Sequence, residues 1–476
     1  MHVLRRSKVL ALATAVGVAL LFDAPLERWS ASAQSPEAAE TARAPEVPVV
    51  PPVTPHRRRP KAQAAPQAPA PHQPSAQSGV AGGEAATARA AKRKDSRKPP
   101  VAVAQPAPAA KKPPPLTRPD FTEEDQQAAE VPGFAGVRFW ASSAQDYARA
   151  VPQTPGPWLV LSSGGEDGAY GAGFLNGWTA AGNRPDFPVV TGISTGALMA
   201  VYAFAGPKYD ALLRAAYTSV SAGDIFEVSP TPESLMDTWP LKRLIDKNVT
   251  PELLADVAAQ YKLGRRLFVL TTNLDAGRPV AWDLGAIAQK GGEPALALFR
   301  KVLLASASIP GEFQPVYIEA EANGHKFLEM HVDGGVNGPM WIAPESYLFA
   351  SANRRLPMSQ LYILLNGKVK IDFYPPLRTT ATILGRSISL ALQMGARTDL
   401  ALFYQAAHRD GVDFNLTLVD SDFGAKARGA FDPKYMKSLY DLGFDRGKRN
   451  QFLKEPPFRR TTAVSEGAGS ESSQPK

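Results

Sequence analysis

Val189-Val190-Thr191-Gly192-Ile193-Ser194-Thr195-Gly196-Ala197-Leu198-Met199-Ala200 decides the fold of this chain. Pro188 to Thr191 is a short β-branched run and reads as a buried strand, whereas Ala197 to Phe204 reads as a helix. Between them stands G-x-S-x-G, Gly192 to Gly196. In a strand–turn–helix context this is a nucleophile elbow, in which a sharp turn lifts the serine hydroxyl above the sheet. Side chains in place of Gly192 and Gly196 would clash with the neighbouring strand or helix, and Ser194 becomes the candidate nucleophile.

Outward from the elbow, short apolar runs alternate with helical patterns. Trp158 to Leu161, Leu267 to Thr271, Leu361 to Leu365 and Leu416 to Val419 read as strands. Tyr170 to Ala181, Leu296 to Ser306 and Thr380 to His408 read as helices, with Pro310 marking the break after the second. Such alternation predicts an α/β fold over roughly residues 121–456.

Two further signals flank the elbow. Ser163-Gly164-Gly165-Glu166-Asp167-Gly168 follows a strand and opens a helix. Glycine there lets the backbone turn tightly, and the helix N-terminus adds free N–H groups and a positive dipole end. The same residues also fit an ordinary strand–helix turn. A phosphate-binding loop is excluded, because its Lys-Ser/Thr pair is absent and Glu166 and Asp167 would repel phosphate. The other signal is Val332-Asp333-Gly334-Gly335. A serine hydroxyl needs a neighbouring base to take its proton. The folded part holds three histidines, His325, His331 and His408, none in a loop after a late strand. Asp333 offers a carboxylate base instead, although a lone Asp-Gly also fits a plain turn.

Taken in order, the glycine loop, the G-x-S-x-G serine and the D-G-G aspartate resemble the patatin-like phospholipase family. The resemblance runs from about Trp158 to Asn366 and includes Leu270-Thr271-Thr272-Asn273-Leu274-Asp275 and Ala305-Ser306-Ala307-Ser308-Ile309-Pro310. It implies a three-layer α/β/α sheet with a nucleophile elbow and a Ser–Asp dyad. In that dyad Ser194 attacks an ester carbonyl and Asp333 accepts its proton. Backbone N–H groups around Gly164 and Gly165 would form the oxyanion hole, each such donor typically worth about 3 kcal/mol in the transition state. The glycines Gly192, Gly196, Gly334 and Gly335 complete the motifs. No metal or other cofactor is implied, and no calcium-loop pattern is present. There are two departures: Ser163 stands at the first glycine of the loop, and Glu166-Asp167 replaces the basic residue of many members. The acidic pair is expected to disfavour anionic head groups.

If Phe327 to Val332 is extended, His331 shares a face with Asp333, and a Ser–His–Asp relay becomes conceivable. The expectation is that His331 lies beside the site and takes no part. An Asp base near its reference pKa of about 4 would then leave activity flat through roughly pH 6–7. Phe174, Leu175, Trp178, Met199 and Phe204 are apolar near the motifs and are expected in the core rather than in an acyl pocket.

Composition assigns the rest. Arg5, Arg6 and Lys8 precede a fourteen-residue apolar run, Val9 to Phe22, and Ala31-Ser32-Ala33 offers a small-x-small cleavage site. Residues 1–33 read as an export signal, with an uncleaved membrane anchor as the alternative, and the chain is expected in the periplasm or secreted. Of the 44 prolines, nineteen lie between Pro36 and Pro119, which makes 34–118 a Pro/Ala-rich linker rather than a packed region. The net charge of +8 belongs to that linker: residues 35–118 hold fourteen Lys/Arg and five Asp/Glu, leaving 35 basic and 38 acidic residues after 118. The linker reads as a featureless spacer or, in a sharper reading, as a basic tether held near anionic envelope components or lipid head groups, and a folded part with net acidic charge gives no nucleic-acid footprint. Residues 119–456 form the hydrolase domain and 457–476 a disordered tail. With no cysteine, neither disulfide nor thiol chemistry is available. The leading expectation is a serine acyl-hydrolase acting on an acyl lipid or membrane-surface substrate. The alternatives are a non-catalytic lipid-binding or scaffold protein on the same fold, and a His-dependent esterase.

Overall fold

The computed structural model describes residues 117–459, apart from 153, 350–353, 420 and 422. The export signal, nearly all of the linker and most of the tail lie outside the described residues.

A nine-stranded mixed sheet organises them. Its strands are β1 (Arg138–Trp140), β2 (Pro157–Leu161), β3 (Val189–Ile193), β4 (Arg266–Asn273), β5 (Arg278–Asp283), β6 (Val316–Ala322), β7 (His325–Asp333), β8 (Gln360–Leu365) and β9 (Asp413–Leu418). The order is β1-β5-β4-β3-β2-β8-β9, with β7 paired to β4 and β6 to β7. From β4 to β9 along this order the strands are parallel, whereas β5, β7 and their outer partners run antiparallel.

Parallel strands must be covered on both faces, and the continuous apolar run of β2 reflects this. Leu159 and Leu161 enter one core with α1 (Gly168–Ala180), α2 (Thr195–Ala205), α3 (Gly292–Ser306) and α5 (Pro433–Lys448). Trp158 and Val160 enter the other, with Leu400, Phe403 and Ala407 of α4 (Thr380–Asp410). This is the three-layer α/β/α architecture expected from the sequence. Phe174, Leu175, Trp178, Met199 and Phe204 are all buried in the first core. α4 is capped by Thr379, which accepts from the Thr382 N–H, and it stops at Gly411 in the left-handed conformation.

α1 and α5 meet through their backbones. A Cβ on Gly173 or Gly177 would come within 2.0 Å of the Tyr440 or Phe444 carbonyl oxygen. One on Gly443 or Gly447 would come within 2.1 Å of the Tyr170 or Phe174 oxygen.

One strand aligns the two site-bearing turns. β3 pairs with β4 up to Ile193 opposite Leu270. The next residue of β4, Thr271, pairs with Asp333 at the end of β7. Consecutive positions of β4 therefore set the end of β3, where Ser194 follows, and the end of β7, where Asp333 stands.

Two boundaries shift. Arg118, assigned to the linker, is anchored: its guanidinium donates to the Leu328 carbonyl at 3.0 Å and to Asp275 at 2.6 Å, and it stacks on Phe121 and Tyr317. Pro457–Arg459, assigned to the tail, forms a 3-10 turn whose Phe458 packs on the second core. An Arg–aromatic stack and apolar burial outweigh the polar composition around them.

Candidate active site

Ser194 is one of four non-glycine residues with positive φ among the described residues, at φ 57° and ψ −125°. Such a conformation costs on the order of 1–3 kcal/mol and persists only where the surroundings hold it. The Ser306 hydroxyl does so, accepting the Ser194 N–H at 3.0 Å and donating to the Leu270 carbonyl at 2.7 Å. The flanking glycines are sterically required. A Cβ on Gly192 would lie 2.4 Å from the Gly196 oxygen, and one on Gly196 would lie 2.2 Å from the Leu161 oxygen.

Asp333 reaches the serine. Its carboxylate accepts the Gly335 N–H at 2.7 Å and lies near enough to the Ser194 side chain for that hydroxyl to favour its ionised form. Its own N–H donates to the Ser308 carbonyl at 2.8 Å, and its carbonyl accepts from Thr272 Oγ1 at 3.0 Å. Ser306 and Ser308 thus fasten both members of the pair, a link invisible to motif reading because it joins residues far apart in sequence. A Cβ on Gly334 would come 2.6 Å from the Leu270 oxygen, whereas Gly335 bonds the carboxylate directly. Burial pushes the Asp333 carboxyl up to about 7, against the opposing pull of the nearby Ser194 side chain and the Gly335 N–H. This overturns the expectation of a carboxylate near its reference value and of a flat profile through pH 6–7.

The glycine loop is braced from β8. Asn366 donates from its side chain to the Ser162 carbonyl at 2.8 Å and accepts from the Gly171 N–H at 3.2 Å. Gly164 is in such close contact with this residue that a Cβ would meet the Asn366 oxygen at 2.1 Å. Gly164 caps and Gly165 begins a 3-10 turn, Gly165–Asp167, so both N–H groups precede its internal hydrogen bonds. Ser163 has no positive φ, and its N–H bonds the Pro339 carbonyl at 2.9 Å, so serine fits where the family pattern has glycine.

The acidic pair turns inward. Tyr435 donates to Asp167 at 2.7 Å, and the backbone N–H groups of Phe431 and Asp432 lie near Glu166 and favour its ionised form. Burial raises Glu166 to about 7, helped by the Asp167 charge, and raises Asp167 to about 6. At neutral pH the pair presents somewhat less negative charge than two free carboxylates.

His331 is fully buried and committed elsewhere. Its Nε2 faces Glu329 at 3.2 Å and its Nδ1 faces Thr271 Oγ1 at 2.9 Å. Thr271 Oγ1 also accepts from Trp282 Nε1 at 2.8 Å, so its proton goes to Nδ1 and the imidazole is neutral with hydrogen on Nε2. Burial pushes the His331 pKa down accordingly. Burial works to raise Glu329, but the His331 hydrogen bond and the Arg138 charge hold it at about 2. His325 pairs with Asp125 at 3.3 Å, and His408 lies by Tyr404 on α4. Among the described residues no group of three or more His, Asp or Glu side chains is arranged to hold a metal ion.

Beside the elbow a cleft of about 70 Å³ opens, with Gly165 and Thr195 at its rim and Leu198, Tyr202, Ile225, Leu241 and Leu303 in its walls. Its lining is largely apolar. A larger cleft of about 530 Å³ runs along β1 and contains none of the motif residues.

Residues 159–343 match the model of the patatin-like phospholipase family. This part of the chain is similar to a patatin-like phospholipase domain. The match spans the glycine loop, the elbow and the Asp333 turn, and it marks the domain as that of a lipid-hydrolysing enzyme. Among solved structures, "Crystal structure of VipD from Legionella pneumophila" is similar with a TM-score of 0.33 and 12% identity, covering 63% of this chain and 67% of that one. Curated protein sequences give no match.

Proposed function

We propose that the chain cleaves carboxylic ester bonds of acyl lipids through a Ser194–Asp333 dyad and an acyl-enzyme. The observation that carries this reading is the buried Asp333 carboxylate standing beside Ser194, which sits at a strained strand–helix turn. Asp333 takes the hydroxyl proton as Ser194 Oγ attacks the ester carbonyl. The oxyanion meets the N–H groups of Gly164 and Gly165. Asp333 then returns the proton to the leaving alcohol and activates the water that releases the fatty acid. A base whose pKa lies near 7 suits both halves of this cycle at neutral pH. A His-dependent reading finds no support in the positions of His325, His331 and His408. We place the enzyme outside the cytoplasm, on the strength of the basic, apolar and small-residue pattern in residues 1–33.

The test is Ser194→Ala together with labelling by a fluorophosphonate. The variant should fold normally, lose ester hydrolysis and escape the label. Activity above a few percent of the parent, or an unlabelled parent, would defeat the assignment, and an unlabelled, inactive parent would favour a lipid-binding scaffold.

A further inference from the structure

Beyond Val369, up to the middle of α4, the chain runs over the surface of the domain. Residues 370–380 are all exposed, and no described side chain from 382 to 395 is buried; the first buried one in α4 is Ala396. Yet the segment is apolar. Phe373 is 97% exposed, Leu377 68%, Tyr374 56% and Ile383 53%. Scattered apolar residues on a surface need no explanation, but a contiguous group of large ones marks an interaction site.

The charge around this group selects the partner. Residues 366–397 carry five basic residues, Lys368, Lys370, Arg378, Arg386 and Arg397, against one acid, Asp372. After residue 118 the chain otherwise leans acidic. Its location matters too. Leu392 of the same helix half touches the Asp333 turn, so closely that a Cβ on Gly335 would meet it at 3.0 Å. Among the described residues no helix is long and apolar enough to cross a membrane.

We propose that residues 370–394 form the face by which the domain docks on a lipid surface bearing anionic head groups. Phe373, Tyr374, Leu377 and Ile383 enter the acyl boundary, and Lys370, Arg378 and Arg386 rest among the head groups. Aromatic and cationic side chains divide an interface in this way because rings partition to its apolar side and charges to its wet side. The inference rests on the acyl-lipid hydrolase reading above, for which such docking would deliver substrate beside the Asp333 turn.

The experiment uses the full chain carrying Ser194→Ala, so that vesicles stay intact during binding. Two sets of changes are added separately: Phe373→Ser with Leu377→Ser and Ile383→Ser, and Lys370→Glu with Arg378→Glu. Co-sedimentation is measured with vesicles of phosphatidylcholine alone, and of phosphatidylcholine and phosphatidylglycerol at a ratio of about two to one. The serine set should weaken binding at least about tenfold on the mixed vesicles. The glutamate set should weaken it on mixed vesicles only, roughly fivefold per lysine or arginine removed, and less at high salt. The linker is common to parent and variants, so differences belong to the domain. With Ser194 restored, both sets should hydrolyse a water-soluble short-chain ester as the parent does, because the changed residues are exposed and outside the site. Unchanged vesicle affinity in both sets would overturn the proposal. So would a parent dimer that the serine set dissociates with vesicle binding intact, since a second copy would then cover the face. A parent that hydrolyses no ester but shows the predicted binding losses would uphold the docking face and defeat the hydrolase reading alone.

Discussion

Replacing Asp333 by Asn separates the cost of a buried base from its use. The carboxyl has an ordinary value of 3.8 and is pushed up to about 7 in the fold, chiefly by desolvation. At about 1.36 kcal/mol per unit, ionising Asp333 in the native state costs up to about 4 kcal/mol relative to the unfolded chain. The sign follows from protonation. Below a pH of about 4 the group is protonated in both states and the penalty is absent; it grows as pH rises and is complete above about 7. Asn keeps the shape and is neutral throughout. Asp333→Asn should therefore match the parent in stability at low pH and exceed it at a pH of about 8, with a Tm higher by several degrees. Activity should move the opposite way, with kcat/KM for a soluble ester falling at least about a thousandfold. In the parent, log kcat/KM should rise with unit slope up to a pH of about 7 and then level, because the ionised fraction falls tenfold per unit below the pKa. Thermal melts across pH and steady-state kinetics on one soluble ester make the comparison. A limb near a pH of about 4, joined to a stability difference that does not vary with pH, would refute the reasoning.

Ser306→Ala should lower kcat roughly tenfold with little change in KM, because the Ser194 N–H loses its acceptor and the elbow its hold; unaltered kcat would show that the turn holds itself. His331→Ala should destabilise the fold by about 3 kcal/mol or more, since Glu329 and Thr271 lose a buried partner, but should cost less than about tenfold in rate at temperatures where it is folded. A loss of the parent's pH limb in that variant would point to a triad. The chain should be exported, and residues 35–118 should be cut by protease before the domain is; recovery only from the cytoplasm with residues 1–33 intact would contradict this.

What the sequence made legible was whatever is local. The elbow is a local steric arrangement, and the clashes at Gly192 and Gly196 can be read from five residues. The strands of β2, β3, β4, β8 and β9 announce themselves as apolar runs because they are buried on both faces. β6 carries a local signal of its own: Val316, Ile318, Ala320 and Ala322 are buried with exposed Glu319 and Glu321 between, and Asn323-Gly324 turns the strand directly into β7. The supports of the site were not legible at all. Ser306 and Ser308 reach Ser194 and Asp333 through hydrogen bonds that exist only once α3 docks against β4. The raised pKa of Asp333 is a property of burial, and a dipeptide Asp-Gly carries no trace of it. The acidic pair 166–167 looked like a repulsive surface because the sequence does not reveal that Tyr435 and the start of α5 close over it.

The backbone contact between α1 and α5 bears on how the domain can be cut. The region matching the family ends at residue 343, well before Pro433. An excised 159–343 would contain every motif residue and yet leave Gly173 and Gly177 facing water, along a strip shaped to receive another main chain. It would also lack Asn366, which ties the glycine loop to the first turn of α1. At those four crossing glycines any larger residue meets a carbonyl oxygen rather than a side chain that could rotate away, so no repacking restores the fit. The smallest piece that can keep the loop in register is therefore one that ends beyond Gly447.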